Sequence, residues 1–281
     1  MGMIKRFGHK GLEGIRAGRF NIGLNTSAIV YRLGRTIIDT GPPNQWKVIG
    51  PFLRERGIDR ALLTHHHEDH SGNGAHILQE FRVPVIGPRE SITPLSQGFP
   101  LCFYQKVLWG RPSPFQPEAL TGDIETGEGT RLRPIHTPGH SKDMTCYLEP
   151  GRGWLFTGDL FIARRTKYLR RDEDLHQQIL SLRHLKSFQF DTLFCSHRGI
   201  VKNGLEAIRD KYDFLLELCE QVKALNETGL LPAEIGVRLL GRGDPMRWVT
   251  GGQFSKMNLI RACLSVDDGI LENGSEPMPL T

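Results

Sequence analysis

Four of the chain's eleven histidines fall inside one six-residue run, His65-His66-His67-Glu68-Asp69-His70. Imidazoles and carboxylates without a thiolate form a ligand set for zinc, iron or manganese. In an extended segment, side chains two apart point the same way, so His65 and His67 can grip one ion together. Asp69 and His70, beyond a bend, can reach a second ion. A histidine tag would be terminal and uninterrupted; this run is internal, follows the apolar Ala61-Leu62-Leu63, and is broken by acids. Three further candidates each follow a strand-like stretch. His140 stands in Thr137-Pro138-Gly139-His140-Ser141, Asp159 in Thr157-Gly158-Asp159, and His197 in Ser196-His197-Arg198-Gly199. A single histidine after a strand is ordinarily a turn or packing residue; it is the ordered set that argues for a metal centre.

The elements that must position these residues can be read from periodicity. Ala28–Leu33 and Arg35–Asp39 are short β-rich runs with Gly34 as the turn between them. A helix over 44–56 would bury Val48, Ile49, Phe52 and Leu53. Arg60–Thr64 is a buried strand running into His65; 73–81 reads as a helix and 83–86 as a strand. Strands are expected at 131–136, 144–148, 153–157 and 191–195, with a helix at 173–187. Residues 88–117 hold six of the seventeen prolines together with Phe99, Phe103, Tyr104, Trp109 and Phe115. This stretch reads as an insertion, extending to about 125, that either packs locally or lines a substrate entrance, with Trp109 as the aromatic contact. Beyond 203, Leu205, Ile208, Tyr212, Leu215, Cys219, Val222 and Leu225 recur at three and four residues, the pattern of a long amphipathic helix. Helices at 232–240 and about 253–264 follow. The apolar stripe needs cover, either from the rest of the chain, where it would border the site, or from a second copy.

The set of motifs resembles the metallo-β-lactamase superfamily over about residues 20–200. The matching pieces are His65-x-His67-x-Asp69-His70, His140 in TPGHS, Asp159 in TGD, His197 in SHRG, and Asp39 closing Thr36-Ile37-Ile38-Asp39. The resemblance implies an α/β fold, the four-layer αββα sandwich, with a metal site at one sheet edge. It assigns His65, His67 and His140 to a first metal, Asp69, His70 and His197 to a second, and Asp159 to both. Asp39 would hold a ligand loop by hydrogen bonds. True β-lactamases of this fold commonly carry Cys where Asp159 stands. An Asp there resembles glyoxalase II, the lactonases and ribonuclease Z. The expected organisation is a catalytic domain over 1–202, a helical segment over 203–265, and an unstructured tail over 266–281.

Composition narrows the function classes. Hydrophobic residues make up 38% and charged residues 24%, enough for a core and unlike a disordered chain. No apolar run approaches membrane-helix length and the first residues carry no signal-peptide pattern, so a cytoplasmic protein is expected. The five cysteines are odd in number and widely spaced, which reads as buried free thiols. A net charge of +5 suits a small anionic substrate, and Arg164, Arg165 and Lys167, soon after Asp159, are candidates to receive it. The leading expectation is a hydrolase with two divalent metal ions, zinc first, with iron or manganese as alternatives. A metal-bridging hydroxide, oriented by Asp69 as catalytic residue, would cleave a thioester, ester or lactone. The alternatives are a phosphodiesterase or ribonuclease of the same fold, with nucleic acid as partner, an iron-dependent oxygen-using enzyme, and a non-catalytic effector-binding protein. A homodimer is a further expectation, from the apolar helical stripe.

Overall fold

The computed structural model describes residues 2–20, 24–126 and 129–272. Of the tail expected over 266–281, residues 273–281 lie outside these residues. Chain contacts divide the molecule into two compact units. The first comprises residues 1–136, 143–162 and 190–202; the second comprises 137–142, 163–189 and 203–281.

The first unit contains two sheets. One has seven strands in chain order: β1 (Met3–His9), β2 (Leu12–Gly18), β3 (Ala28–Leu33), β4 (Thr36–Ile38), β5 (Arg60–Leu62), β6 (Val85–Gly87) and β7 (Glu118–Ala119). β1 to β4 are antiparallel hairpin neighbours, and β4 to β7 run parallel. The other sheet is built from β8 (Ile124–Glu125), β9 (Arg131–His136), β10 (Thr145–Glu149) and β11 (Trp154–Gly158). After β12 (Leu169–Arg170), which belongs to the second unit, β13 (Thr192–Cys195) and β14 (Gly199–Val201) complete it in the order β14-β13-β11-β10-β9-β8.

Two apolar layers explain the arrangement. Leu12, Ile29, Tyr31, Leu33, Ile38 and Leu62 from the first sheet meet Leu132, Tyr147, Trp154, Phe156 and Phe194 from the second. The opposite face of the first sheet, through Ile15, Val30, Ile37, Ala61, Leu63 and Val85, packs on helices. These are α1 (Trp46–Arg54), α3 (Gly74–Glu80) and α4 (Ile92–Gln97); the unit also contains α2 (Glu68–Ser71) and α5 (Phe103–Leu108). Ile49, Phe52 and Leu53 of α1 and Ala75 and Ile77 of α3 supply the helical side of that layer. A sheet apolar on both faces needs the near-continuous β-branched runs seen in β3 and β4.

The second unit is helical: α6 (Leu175–Leu185), α7 (Gly204–Glu227), α8 (Pro232–Leu240), α9 (Pro245–Val249), α10 (Lys256–Ser265) and α11 (Asp268–Glu272), plus the small ribbon of β12 with β15 (Phe254–Ser255). The stripe Ile208, Tyr212, Leu215, Cys219 and Val222 of α7 is buried, and α6, α8 and α10 pack on α7. Residues 268–272 are helical, so structure continues past the boundary expected at 265.

The β1–β2 hairpin is absent from the sequence reading because Gly8, Gly14 and Gly18 dilute its β signal. The 88–117 stretch contains α4 and α5 rather than plain loop. Among the described residues no helix is long and apolar enough to cross a membrane. All five cysteines are free thiols, and all but Cys102 are buried.

Candidate metal centre

Strand register decides which chain ends meet. β4 and β5 run parallel with Ile38 opposite Leu62, so Asp39 and Leu63-Thr64-His65 leave the first sheet at one edge. β11 and β13 run parallel with Gly158 opposite Cys195, so Asp159 and His197 leave the second sheet together. Two buried tyrosines tie these ends across the sandwich. Tyr31 of β3 donates its hydroxyl to the Cys195 carbonyl at 2.7 Å. Tyr147 of β10 donates to the Leu63 carbonyl at 2.8 Å. Gly158 permits the close approach: its φ is +48°, and a Cβ there would stand 2.4 Å from Met144 Cε and 2.9 Å from Thr64 Cβ.

Asp39 is the hub beneath the histidine run. It is buried and sits at φ +60°, a left-handed conformation uncommon outside glycine and a strain that tertiary contacts must sustain. Its Oδ1 accepts the Thr64 backbone N–H at 2.8 Å and the Thr64 hydroxyl at 2.9 Å. Its Oδ2 accepts the Ser196 hydroxyl at 3.0 Å and lies 2.7 Å from His70 Nδ1. An ionised carboxylate only accepts, so His70 carries its proton on Nδ1 and turns Nε2 outward. The same logic orients His197, whose Nδ1 lies 2.8 Å from the Ser27 carbonyl oxygen.

The outward nitrogens converge with two carboxylates. His70 Nε2 lies 3.4 Å from Asp159 Oδ1 and 3.7 Å from Asp69 Oδ2. His197 Nε2 lies 3.2 Å from Asp159 Oδ2 and 3.3 Å from Asp69 Oδ2. Ligand atoms of His65, His70 and Asp159 form one group able to hold an ion, and those of Asp69, His70 and His197 another. His65 Nε2 and His67 Nδ1 face each other 2.8 Å apart. His70 Nε2 is buried yet makes no hydrogen bond, as expected of a nitrogen that serves a cation. The donor set is imidazole and carboxylate throughout, so the residues fit divalent metal.

Charge follows from the same packing. Burial opposes the charged form of His70, but Asp159, Asp69 and Asp39 outweigh it and hold its pKa well above the ordinary histidine value. Burial likewise opposes a charged His197, and Asp159 and Asp69 raise it nonetheless. Asp159 is held well below the carboxylate range, against burial, by His197 and His70. Asp69 is lowered by the same two imidazoles, with burial and Asp159 opposing. With no cation bound, the carboxylates thus bias both imidazoles toward the protonated form, which a metal ion would displace.

His66, expected to point away from the metals, turns to Asp143. Its backbone N–H and ring Nδ1 lie 2.6 and 2.9 Å from Asp143 Oδ2, which also accepts the Ser91 hydroxyl at 2.6 Å. This clamp fixes the backbone between His65 and His67, and the sequence reading missed it. The signal was an acid three residues after His140, with no spacing rule to connect it to His66.

His140 lies in the loop 137–142, which clusters with the second unit. Its Nδ1 is 3.0 Å from Glu173 Oε1. Glu173 Oε2 accepts the Gln178 amide at 2.8 Å. Asp174 N–H donates to the Gly139 carbonyl at 2.8 Å, and Ser181 Oγ to the Pro138 carbonyl at 2.7 Å. Gly139, at φ +133°, lets the loop approach α6 so closely that a Cβ would stand 2.4 Å from Gln178 N. Glu173 was likewise missed, because its link to His140 spans 33 residues.

Trp109 is 5% exposed and its ring centroid stands 6.2 Å from that of His197, so part of the 88–117 stretch reaches this centre. In the second unit, Arg164 pairs with Asp210 and, at 3.8 Å, with Glu206 of α7; Arg165 and Lys167 are exposed.

Comparison with known proteins supports the same reading. Residues 23–197 match the family model of the metallo-beta-lactamase superfamily. A lactamase-like protein, aptB, of Emericella nidulans is 27% identical over 73% of this chain and 60% of its own. An atrochrysone carboxyl ACP thioesterase of Passalora fulva is 29% identical over 68% of this chain and 53% of its own. The chain thus spans little more than half the length of these relatives. A solved metallo-beta-lactamase family protein of Thermus thermophilus superimposes with a TM-score of 0.67 at 19% identity, covering 96% of this chain and 97% of its own. The sheets, the strand-end ligand groups and the matched residues together establish that the chain belongs to the metallo-β-lactamase superfamily, with the α/β fold of that family and added C-terminal helices.

Proposed function

We propose that the protein is a dinuclear metal-dependent hydrolase acting on a thioester. The observation that carries this reading is Asp159. Its Oδ1 and Oδ2 face different imidazoles, and it groups with His65 on one side while approaching His197 on the other. A carboxylate so placed could serve two cations at once. In this reading His65, His67 and His140 hold the first metal, and Asp69, His70 and His197 the second. Zinc is the first choice for a donor set of His and Asp, and iron or manganese would suit the same donors. When bound, the ions supply a water of lowered pKa and polarise the substrate carbonyl.

The chain's own residues do the rest. Asp39, through His70, and Ser27, through His197, present Nε2 lone pairs and keep the imidazoles from rotating. Asp69 Oδ2, within 3.7 Å of both imidazoles, can accept a proton from the attacking water and hand it to the leaving thiolate. Trp109 walls the centre beside His197 and excludes water there. Cys195 is no nucleophile: burial pushes its thiol pKa up. Thioester chemistry is chosen over ester or lactone chemistry because the Passalora fulva relative is an ACP thioesterase.

Elemental analysis of protein purified without chelator, followed by a panel of thioesters, lactones and phosphodiesters, tests the reading. About two metal ions per chain and turnover on thioesters are expected. One ion or none per chain overturns the dinuclear assignment, and turnover confined to phosphodiesters overturns the substrate class.

A further inference from the structure

A cleft of about 520 Å³ is built wholly within the second unit, from β12, the start of α6 and one face of α10. Its lining includes Arg170, Arg171, His176, Asn258 and Arg261, along with Glu173 and Asp174. The acids are already engaged. Asp174 caps α6 by accepting the Gln177 N–H at 3.0 Å, and Glu173 holds His140 and Gln178. Arg170 is matched by Asp172 through two 2.7 Å contacts. Arg171 and Arg261 are exposed, and no carboxylate among the described residues pairs with either. The wall that carries them is braced. Asn258 Nδ2 donates to the Leu169, Gly252 and Gln253 carbonyls, and the Arg171 N–H donates to the Gln253 carbonyl at 2.8 Å. A Cβ on Gly252 would stand 3.2 Å from Arg171 Nη2, so the guanidinium lies over backbone that bears no side chain.

Two unmatched guanidiniums on the braced wall, with the His176 imidazole from the start of α6 lining the same cleft, ask for an anion with several oxygens. A phosphate fits two donor forks and an imidazole, whereas a single carboxylate is filled by one fork. We propose that this cleft binds a phosphate ester, the phosphate-bearing end of a thioester's carrier, or free phosphate. The carrier assignment rests on the hydrolase reading above. Glu173 links the cleft to that chemistry within the unit, since it lines the cleft and its Oε1 orients His140.

The test uses the full-length, metal-loaded protein at low ionic strength. Calorimetric titration is run with inorganic phosphate and with the adenosine bisphosphate that forms the nucleotide end of coenzyme A, a probe with phosphates and no sulfur. The double variant Arg171→Ala/Arg261→Ala should weaken bisphosphate binding at least about tenfold. The control Arg238→Ala/Arg242→Ala, which removes two exposed arginines outside the cleft, should leave it unchanged. Equal weakening by both pairs overturns the proposal, because the effect is then general charge. Weakening confined to inorganic phosphate identifies free phosphate as the ligand and removes the carrier. In kinetics, the cleft variant should raise KM for a coenzyme A thioester and leave KM for an N-acetylcysteamine thioester, which has no phosphate, unchanged. If the binding difference holds and neither thioester is hydrolysed, the cleft stands and the hydrolase reading falls. If both are hydrolysed with Kd and KM unaltered, the cleft falls and the hydrolase reading stands.

Discussion

Asp39→Asn isolates the orienting role of a residue that need not touch metal. The substitution keeps the shape and tolerates the left-handed φ of +60°. The amide oxygen can still accept the Thr64 N–H, now made at 2.8 Å. The amide nitrogen then faces His70 Nδ1, where the carboxylate oxygen stood at 2.7 Å. Two donors cannot share that contact, so His70 is pushed to the other tautomer with its proton on Nε2, the atom facing Asp159 and Asp69. Loss of a partner that orients a ligand costs metal affinity about 10–100-fold, or about 1.4–2.7 kcal/mol. Asp39→Ala goes further. It leaves the Thr64 N–H and the His70 Nδ1–H buried without an acceptor, at about 1–3 kcal/mol each. That is about 2–6 kcal/mol, a large part of the roughly 5–15 kcal/mol that holds a domain together. The Thr64 and Ser196 hydroxyls can rotate to other acceptors and are left out of the estimate. The assay is zinc titration against a chromophoric chelator for wild type and Asp39→Asn, with thermal melting of both variants. If Asp39→Asn binds both metals with wild-type affinity, the tautomer argument is refuted. If Asp39→Ala melts with the wild type, the hub argument fails as well.

Asp159→Ala should cost more turnover than any single histidine change, because it removes the carboxylate serving both cations; near-normal turnover with full metal content would refute the bridge. Glu173→Ala should lower affinity at one metal site about 10–100-fold while Glu173→Gln, which keeps an acceptor for His140 Nδ1–H, recovers most of it; equal loss in both variants, read by metal competition, would assign Glu173 a packing role only. In the metal-free protein His70 and His197 have raised pKa values and stay protonated at neutral pH, so zinc uptake in weak buffer should release about two protons, and uptake without proton release would show that the imidazoles are neutral beforehand. The stability from their pairing is full below the unfolded histidine value of about 6.5 and is lost as pH rises through the raised folded values. The depressed Asp159 and Asp69 contribute stability present above about 3.9 and lost as pH falls through their folded values. Chelator-treated protein should therefore melt lower as the solution is made alkaline, and a melting temperature that rises with pH would contradict these shifts.

The proposed ligand residues were legible in the sequence because metal chemistry restricts residue type. Only His, Asp, Glu and Cys serve, so His65, His67, Asp69, His70, His140, Asp159 and His197 stand out by type and by position after strand-like runs. Most strands and helices were legible for a similar reason, since a two-sided core demands β-branched runs in β3 and β4 and a three-four stripe in α7. The residues that support the ligands were not. Asp143 and Glu173 are ordinary acids in the sequence, and only the fold brings one to His66 across 77 positions and the other to His140 across 33. Tyr31 and Tyr147 read as strand hydrophobes, yet their hydroxyls hold the ends of β13 and β5 across the sandwich. The grouping of α6 with the C-terminal helices, and the cleft between β12 and α10, likewise follow from contacts far apart in the chain. Local chemistry selects which atoms can bind a cation. Hydrogen bonds made over long sequence separation decide which way those atoms point, and no local pattern encodes them.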